Sequence, residues 1–268
     1  MTLVITELSI LGVAMVADTA VTIEDRPYIG FQKLFKVPLI NAGLSIWGDD
    51  LADIRPDVDA DIWLQDFIDN HVTKDMSLWN MAEKLAKKLN DTIGKRFIKE
   101  NKRMGIHVAG FDIKNGLRGP ALYHVHNGHY QVGYGNGEII TIPNESPPIR
   151  EFRAHDDCNP KIYNKGEYTK RRNGDFAVYA YLNVDFKTIF ENLQKETNFI
   201  FPYPSTLEIR GEYLRFWVNT VKDIFRLSNL GIYRLSRRPP PMIDYTHIGG
   251  PVTVLTISEQ GIKDYYTI

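Results

Sequence analysis

The opening eighteen residues leave the chain little choice. "TLVITE" (2–7) and "VAMVAD" (13–18) are short, apolar and rich in β-branched residues, with Gly12 as the break between them. Runs of this kind become buried strands, and here they predict a hairpin closing near Ser9–Gly12. The first strand begins at the second residue, so a threonine, Thr2, stands at its head. A carboxylate, Asp18, stands where the second strand ends. The stretch is apolar enough to suggest a secretion signal, but it carries no Lys or Arg before its apolar run and has Glu7 inside it.

The hairpin is followed by more of the same period. "KLFKV" (33–37) alternates, and "LINAGLSIWG" (39–48) reads as a buried strand that ends in a glycine turn. Then the period changes. In 59–72, Ile62, Trp63, Phe67 and Ile68 fall on one helical face. In 77–94, Leu78, Met81, Leu85 and Leu89 do the same, with Ser77 as the N-cap. Strands return at 104–113 and 121–135, with Asn127-Gly128 as a hairpin turn signal. Residues 138–175 read as loop and as the insertion of a single domain spanning 1–268. Residues 184–197 predict a helix. Residues 205–231 predict a longer one, with Ser205 and Glu208 in capping-box spacing and Gly231 at its end. The strands of 249–265 close the chain. Segregated helices and antiparallel strands predict an α+β fold with helices packed outside sheets.

Composition narrows the function classes. The net charge is −1 over 268 residues, which predicts no nucleic-acid partner and no anionic membrane surface. No apolar run approaches the ~18 residues of a membrane span. The single cysteine, Cys158, excludes an internal disulfide and fits a cytoplasmic location. No cofactor is expected. His124, His126 and His129 surround Asn127-Gly128, and "HDDC" spans 155–158, but zinc-ligand spacing is missing elsewhere, so these are read as polar hairpin residues and no metal is assigned. The neighbouring aspartates also argue against Cys158 as a nucleophile, since a reactive thiolate needs an electropositive setting. "GYGNG" lacks the strand–helix context of a phosphate loop.

Taken in order, "TLVITELSILGVAMVADTAVT", "KLFKV", "AGLSIWG", two helices and "VAGFD…LYHV" resemble the β subunits of the proteasome and their bacterial ring-protease relatives, which are N-terminal-nucleophile (Ntn) hydrolases. The resemblance covers residues 2–135 and, more thinly, "HIGGPVTVLTI". It implies a four-layer αββα sandwich. It implies Thr2 as the nucleophile once Met1 is removed, Asp18 and Lys33 as its charged supports, and Thr22 as a backbone contact to substrate. The oxyanion-binding N–H would belong to Trp47 or Gly48. The supporting serine of the family falls at Tyr134 or Asn136, and its late aspartate at Asp244, with Ile248 where a second serine belongs. The implied partners are further copies of the chain in a homo-oligomeric ring, a peptide or protein substrate, and an unfolding ATPase.

The chemistry needs those residue types. A threonine hydroxyl is a weak nucleophile and requires a base. As first residue, its own α-amine supplies one, with an ordinary pKa of about 7.7–8.0. A nearby ammonium lowers the pKa values of both amine and hydroxyl, and a carboxylate holds that ammonium charged and in place. The resulting expectation is a threonine-nucleophile amide hydrolase, most naturally a peptidase. The same fold also hosts small-molecule amidases and inactive assembly proteins, and fold does not decide among them. Trp63, Phe67 and Trp79 on the two helices are expected at a subunit interface, because aromatics are enriched there.

Overall fold

The structure is a computed structural model, and it describes residues 3–23, 26–49, 51, 54, 58–128, 132–135, 138–141, 148–174, 205–229 and 248–268. The first two strands are β1 (Leu3–Ser9) and β2 (Gly12–Asp18), antiparallel with Val4 opposite Ala17. Every residue of β1 is buried, as the apolar reading requires. Gly12 turns the hairpin at φ +125, and a Cβ there would lie 2.3 Å from the Ile257 carbonyl oxygen. Glycine is needed on both counts.

A small ribbon not expected from the sequence comes next, β3 (Ala20–Ile23) paired with β4 (Arg26–Ile29). Then β5 (Leu34–Val37) pairs with β6 (Ala42–Gly48). Between them Pro38–Ile40 form a 3₁₀ turn that Asn41 closes at φ 52, which divides the expected 39–48 strand. Helix α1 covers Ala60–His71 and α2 covers Leu78–Leu89. Ser77 caps α2 through the Asn80 N–H at 3.1 Å, as its position predicts. The helix runs on through a π turn (Asn90–Gly94) into α3 (Lys95–Glu100).

β7 (Met104–Lys114) and β8 (Leu117–His126) make the longest hairpin. Its turn is Asn115-Gly116, with φ 53 and φ 78, where left-handed backbone favours Asn and Gly. Asn127-Gly128 is not a hairpin turn. Asn127 is buried, accepts from the Met104 N–H and donates to the Lys102 carbonyl, so it ties the strand end down. β9 (Val132–Gly135) and β10 (Glu138–Thr141) pair with each other. β11 (Arg153–Cys158) and β12 (Tyr168–Gly174) follow, strands where loop was expected. Polar text hid them because both are edge strands, and edge strands present one side to water. Helix α4 (Leu207–Asn229) is capped by Thr206, whose Oγ1 accepts the Ile209 N–H, and not by Ser205. The chain closes with β13 (Val252–Ser258) and β14 (Gly261–Thr267). The helix expected at 184–197 lies outside the described residues, as does Gly231.

The strands form two five-stranded antiparallel sheets, in the orders β12-β1-β2-β13-β14 and β11-β8-β7-β6-β5. Side-chain alternation assigns their faces. Leu44, Ile46, Ile106, Val108, Tyr123 and Val125 pack with residues of α1, α2 and α3. Leu3, Ile5, Val16 and Val254 pack with Leu214, Trp217 and Val221 of α4. Val4, Leu8 and Met15 of one sheet pack with Trp47, Ala109 and Leu122 of the other. The class is α+β, as expected. Among the described residues no helix is long and apolar enough to cross a membrane.

The aromatic interface expectation is corrected here. Trp63 and Phe67 are 6% and 1% exposed and belong to the core, while Trp79, partly buried, packs edge-on to Tyr123. Ile62, placed on the apolar face by its spacing, is 61% exposed, while Leu64 takes the buried position.

Candidate active site

Asp18 and Lys33 meet at the ends of their strands. Asp18 is the last residue of β2, and Lys33 immediately precedes β5. Lys33 Nζ lies 2.9 Å from Asp18 Oδ1, and both side chains are fully buried. The Ala20 carbonyl accepts a second hydrogen bond from the same ammonium. Asp18 also accepts from three backbone N–H groups. Leu3 N–H donates to Oδ1 at 3.0 Å; Ala20 and Gly249 donate to Oδ2 at 3.3 and 3.1 Å. These donors satisfy the buried carboxylate in place of water. Burial pulls the Lys33 pKa below its ordinary 10.5, and the Asp18 charge and hydrogen bond pull it back up.

The Leu3 amide nitrogen is covalently joined to residue 2, and it is one of the atoms on this carboxylate. Thr2 itself lies outside the described residues. So do Asn136 and Asp244. Thr22 stands in β3 opposite Pro27. Ile248 is buried against the α4 side of the first sheet. Tyr134 pairs with Ile139 in the β9–β10 ribbon.

Strand alternation separates Trp47 from Gly48. The Ile46 N–H donates to the Lys33 carbonyl at 2.9 Å, and the Asp49 N–H donates to the Arg103 carbonyl at 2.7 Å. Successive N–H groups of an antiparallel strand face opposite neighbours. Trp47 therefore turns its N–H toward β7, where it pairs with Gly105, and Gly48 turns its N–H toward the side where Lys33 lies. Of the two candidates, Gly48 alone has an N–H directed to the site. The Trp47 ring lies between the sheets, across Gly105, where a Cβ would be 2.4 Å from it. The bulk of Trp47 is thus turned away from Lys33.

Gly48 has φ +131, and a Cβ on it would stand 2.4 Å from the Arg103 carbonyl oxygen. Gly48→Ala is expected to destabilise the fold by about 1–3 kcal/mol through strain and displaced backbone. Urea denaturation reads it; an alanine variant as stable as the parent would show that the glycine geometry is not required.

Two features of this site were not legible as site residues. The Gly249 N–H on Asp18 comes from "HIGG", more than two hundred residues away, and backbone donors leave no residue-type signal. Thr19 strengthens the same junction, giving its N–H to Gly249 and its hydroxyl to the Pro251 carbonyl. Among the described residues no group of three or more His, Cys, Asp or Glu is arranged to hold a metal ion. His124 and His126 point between the sheets, and His129 lies outside the described residues.

No family model and no curated protein matches the sequence. Solved structures do match in fold. Anbu from Yersinia bercovieri, described as an ancestral beta-subunit, superposes with a TM-score of 0.50 at 15% identity, over 100% of this chain and 87% of the other. A Gly-1 mutant of Anbu from Hyphomicrobium sp. strain MC1 superposes with a TM-score of 0.50 at 11% identity, over the same shares of each chain. At these identities the likeness concerns the fold.

Proposed function

We propose that this chain is an N-terminal threonine hydrolase of the Ntn type, built as an αββα sandwich and acting on peptide amides as one subunit of a homo-oligomeric ring. The single observation that supports the chemistry best is the fully buried Lys33–Asp18 pair, which shares its carboxylate with the first amide of β1. Burying a charge pair costs several kcal/mol per ion before its mutual attraction is counted. A chain retains one at a strand terminus most readily when the charge has work to do there.

In this reading removal of Met1 exposes the α-amine of Thr2. The amine takes the hydroxyl proton, and the alkoxide attacks the substrate carbonyl. Lys33, held charged by Asp18, stabilises the alkoxide. The Gly48 N–H meets the oxyanion of the tetrahedral intermediate, a contact whose loss costs on the order of 10²–10³ in rate. The amine then returns its proton to the leaving nitrogen, and water hydrolyses the resulting ester. Thr22 holds the substrate by its backbone. Asn136 and Asp244 would complete the outer support. The ring is supported by the fold likeness to a protein described as a beta-subunit, and an unfolding ATPase would be its partner if folded proteins are the substrate.

Two measurements test this together. Intact mass of the native protein should show Met1 absent. A panel of fluorogenic peptide amides should be turned over by the wild type and not by Thr2→Ala, which should keep the same native mass by light scattering. A retained methionine, or full activity in Thr2→Ala, would overturn the assignment. Turnover of small amides without peptides would mark an amidase, and a folded oligomer without any turnover would mark an inactive assembly protein.

A further inference from the structure

The helices over the second sheet are sorted by charge. Helix α1 holds no Lys or Arg, and its solvent-facing residues are Asp61, Ile62, Gln65, Asp66, Asp69 and Asn70. The run from α2 through the π turn into α3 carries Lys84, Lys87, Lys88, Lys95 and Lys99 against Glu83, Asp91 and Glu100. The carboxylates of α1 face neutral donors. Asp61 accepts from the Ile62 N–H at 2.8 Å, Asp66 from the Asn70 amide at 2.8 Å and Asp69 from the Gln65 amide at 2.9 Å. Among the described residues Asp66, Asp69, Lys87, Lys88 and Lys95 form no ion pair. The arrangement is locally unfavourable. Asp66 and Asp69 are like charges three apart on one helix, and Asp69 stands in the last turn, where the helix dipole disfavours a carboxylate.

Both stripes face the same way. α1, α2 and α3 pack into one core on the same face of the second sheet, so their exposed sides point away from it together. Lys84 Nζ donates to the His71 carbonyl at 2.8 Å, so the end of α1 lies beside α2. Each stripe also has an exposed isoleucine, Ile62 at 61% on the acidic side and Ile98 at 44% on the basic side. The acidic stripe, with Gln32, lines an open groove of about 430 Å³.

We propose that these stripes dock a second copy of the chain, with α1 of one copy lying on α2 and α3 of its partner. A surface that presents both signs side by side is complementary to itself: a two-fold axis between the helices sets acid on base twice. Lysines of one copy enter the acidic groove of the other, and the isoleucines add apolar contact beside the charges. The pairing offsets the local cost, since each like-charged stripe meets its opposite. A two-fold contact closes on itself, so it doubles whatever unit the chain forms through its other surfaces. It does not depend on the hydrolase reading, and its test needs no substrate.

Native mass by light scattering on a dilution series reads it. The Debye length shrinks from about 10 Å at 0.1 M salt to about 3 Å at 1 M, so the dissociation constant of the pair should rise by about tenfold or more over that range. Asp66→Lys with Asp69→Lys should halve the native mass, and so should Lys87→Glu with Lys88→Glu. Mixed in equal amounts, the two double variants should restore it, because the first presents mainly base and the second mainly acid. If a reversal does not fold, Asp66→Asn with Asp69→Asn keeps the side-chain shape and should still weaken the pair. A native mass that no folded variant lowers would overturn the proposal. So would halved masses that mixing does not restore, in variants with the wild-type circular dichroism spectrum. A wild type that stays a single chain and binds a Lys-rich peptide would overturn it too, and would mark a basic partner in place of a second copy.

Discussion

Lys33→Met should reduce amide turnover by roughly 10²–10³-fold, the range for losing a group that stabilises a developing negative charge. Asp18→Asn should also lose turnover, but its larger effect is on stability. With Lys33→Met, Asp18 keeps its three backbone donors from Leu3, Ala20 and Gly249, so the carboxylate remains hydrogen-bonded. With Asp18→Asn, a fully buried ammonium loses its counter-charge and keeps the Ala20 carbonyl as its acceptor. Removing one partner of a buried pair costs about 3–5 kcal/mol. The expected order of stability is therefore wild type, then Lys33→Met, then Asp18→Asn, while both variants are poor catalysts. Urea midpoints and peptide-amide assays on the same preparations read the two effects separately. If Asp18→Asn is as stable as Lys33→Met, the pair is not the structural unit described here.

The pH dependence of the pair has a definite sign. Burial lowers the Lys33 pKa below 10.5, so the folded protein releases this proton at a lower pH than the unfolded chain does. In that alkaline window the unfolded state binds more protons, and this group's contribution makes stability rise with pH. On the proposed mechanism turnover falls over the same window, because the neutral amine no longer supports the alkoxide. Activity and stability should thus diverge on the alkaline side in the wild type. The divergence should be missing in Lys33→Met.

The second large effect concerns Glu7, the acid inside the opening strand. Its side chain is fully buried, accepts from Arg210 of α4 and lies 3.3 Å from Lys170 of β12. The Arg210 guanidinium stacks between Tyr168 and Tyr213, 4.9 and 5.1 Å from their rings. One carboxylate therefore ties β1 to a helix and to an edge strand. Glu7→Gln keeps the shape and removes the buried negative charge that faces Arg210 and Lys170, for an expected loss of about 3–5 kcal/mol. The double variant Glu7→Leu, Arg210→Met removes both charges and should recover most of that loss, since apolar replacements of buried pairs are often neutral or stabilising by about 1–4 kcal/mol. A double-mutant cycle in urea measures the difference. Glu7→Gln within about 0.5 kcal/mol of the wild type would show that the triad does not hold these elements together.

What the sequence determined by itself were the elements with a strong period. The β1–β2 hairpin, α1, α2 and the closing strands follow from apolar spacing and from punctuation at Gly12 and Ser77, because those signals act over a few residues. Asp18 and Lys33 were legible as candidates through their order and spacing. Their contact was not, because it requires β2 and β5, which lie in different sheets, to bring their ends together. Tertiary structure also decided what local signals left ambiguous. β11 and β12 carry polar text and became strands because each had a sheet edge to join. Asn127-Gly128 has turn chemistry, yet Asn127 is spent on tying down the Met104 and Lys102 backbone. Trp47 and Gly48 are adjacent and both plausible as donors. Only the pairing of β6 with its two neighbours tells them apart, since alternation along a strand sends one N–H into the ladder and the other toward Lys33.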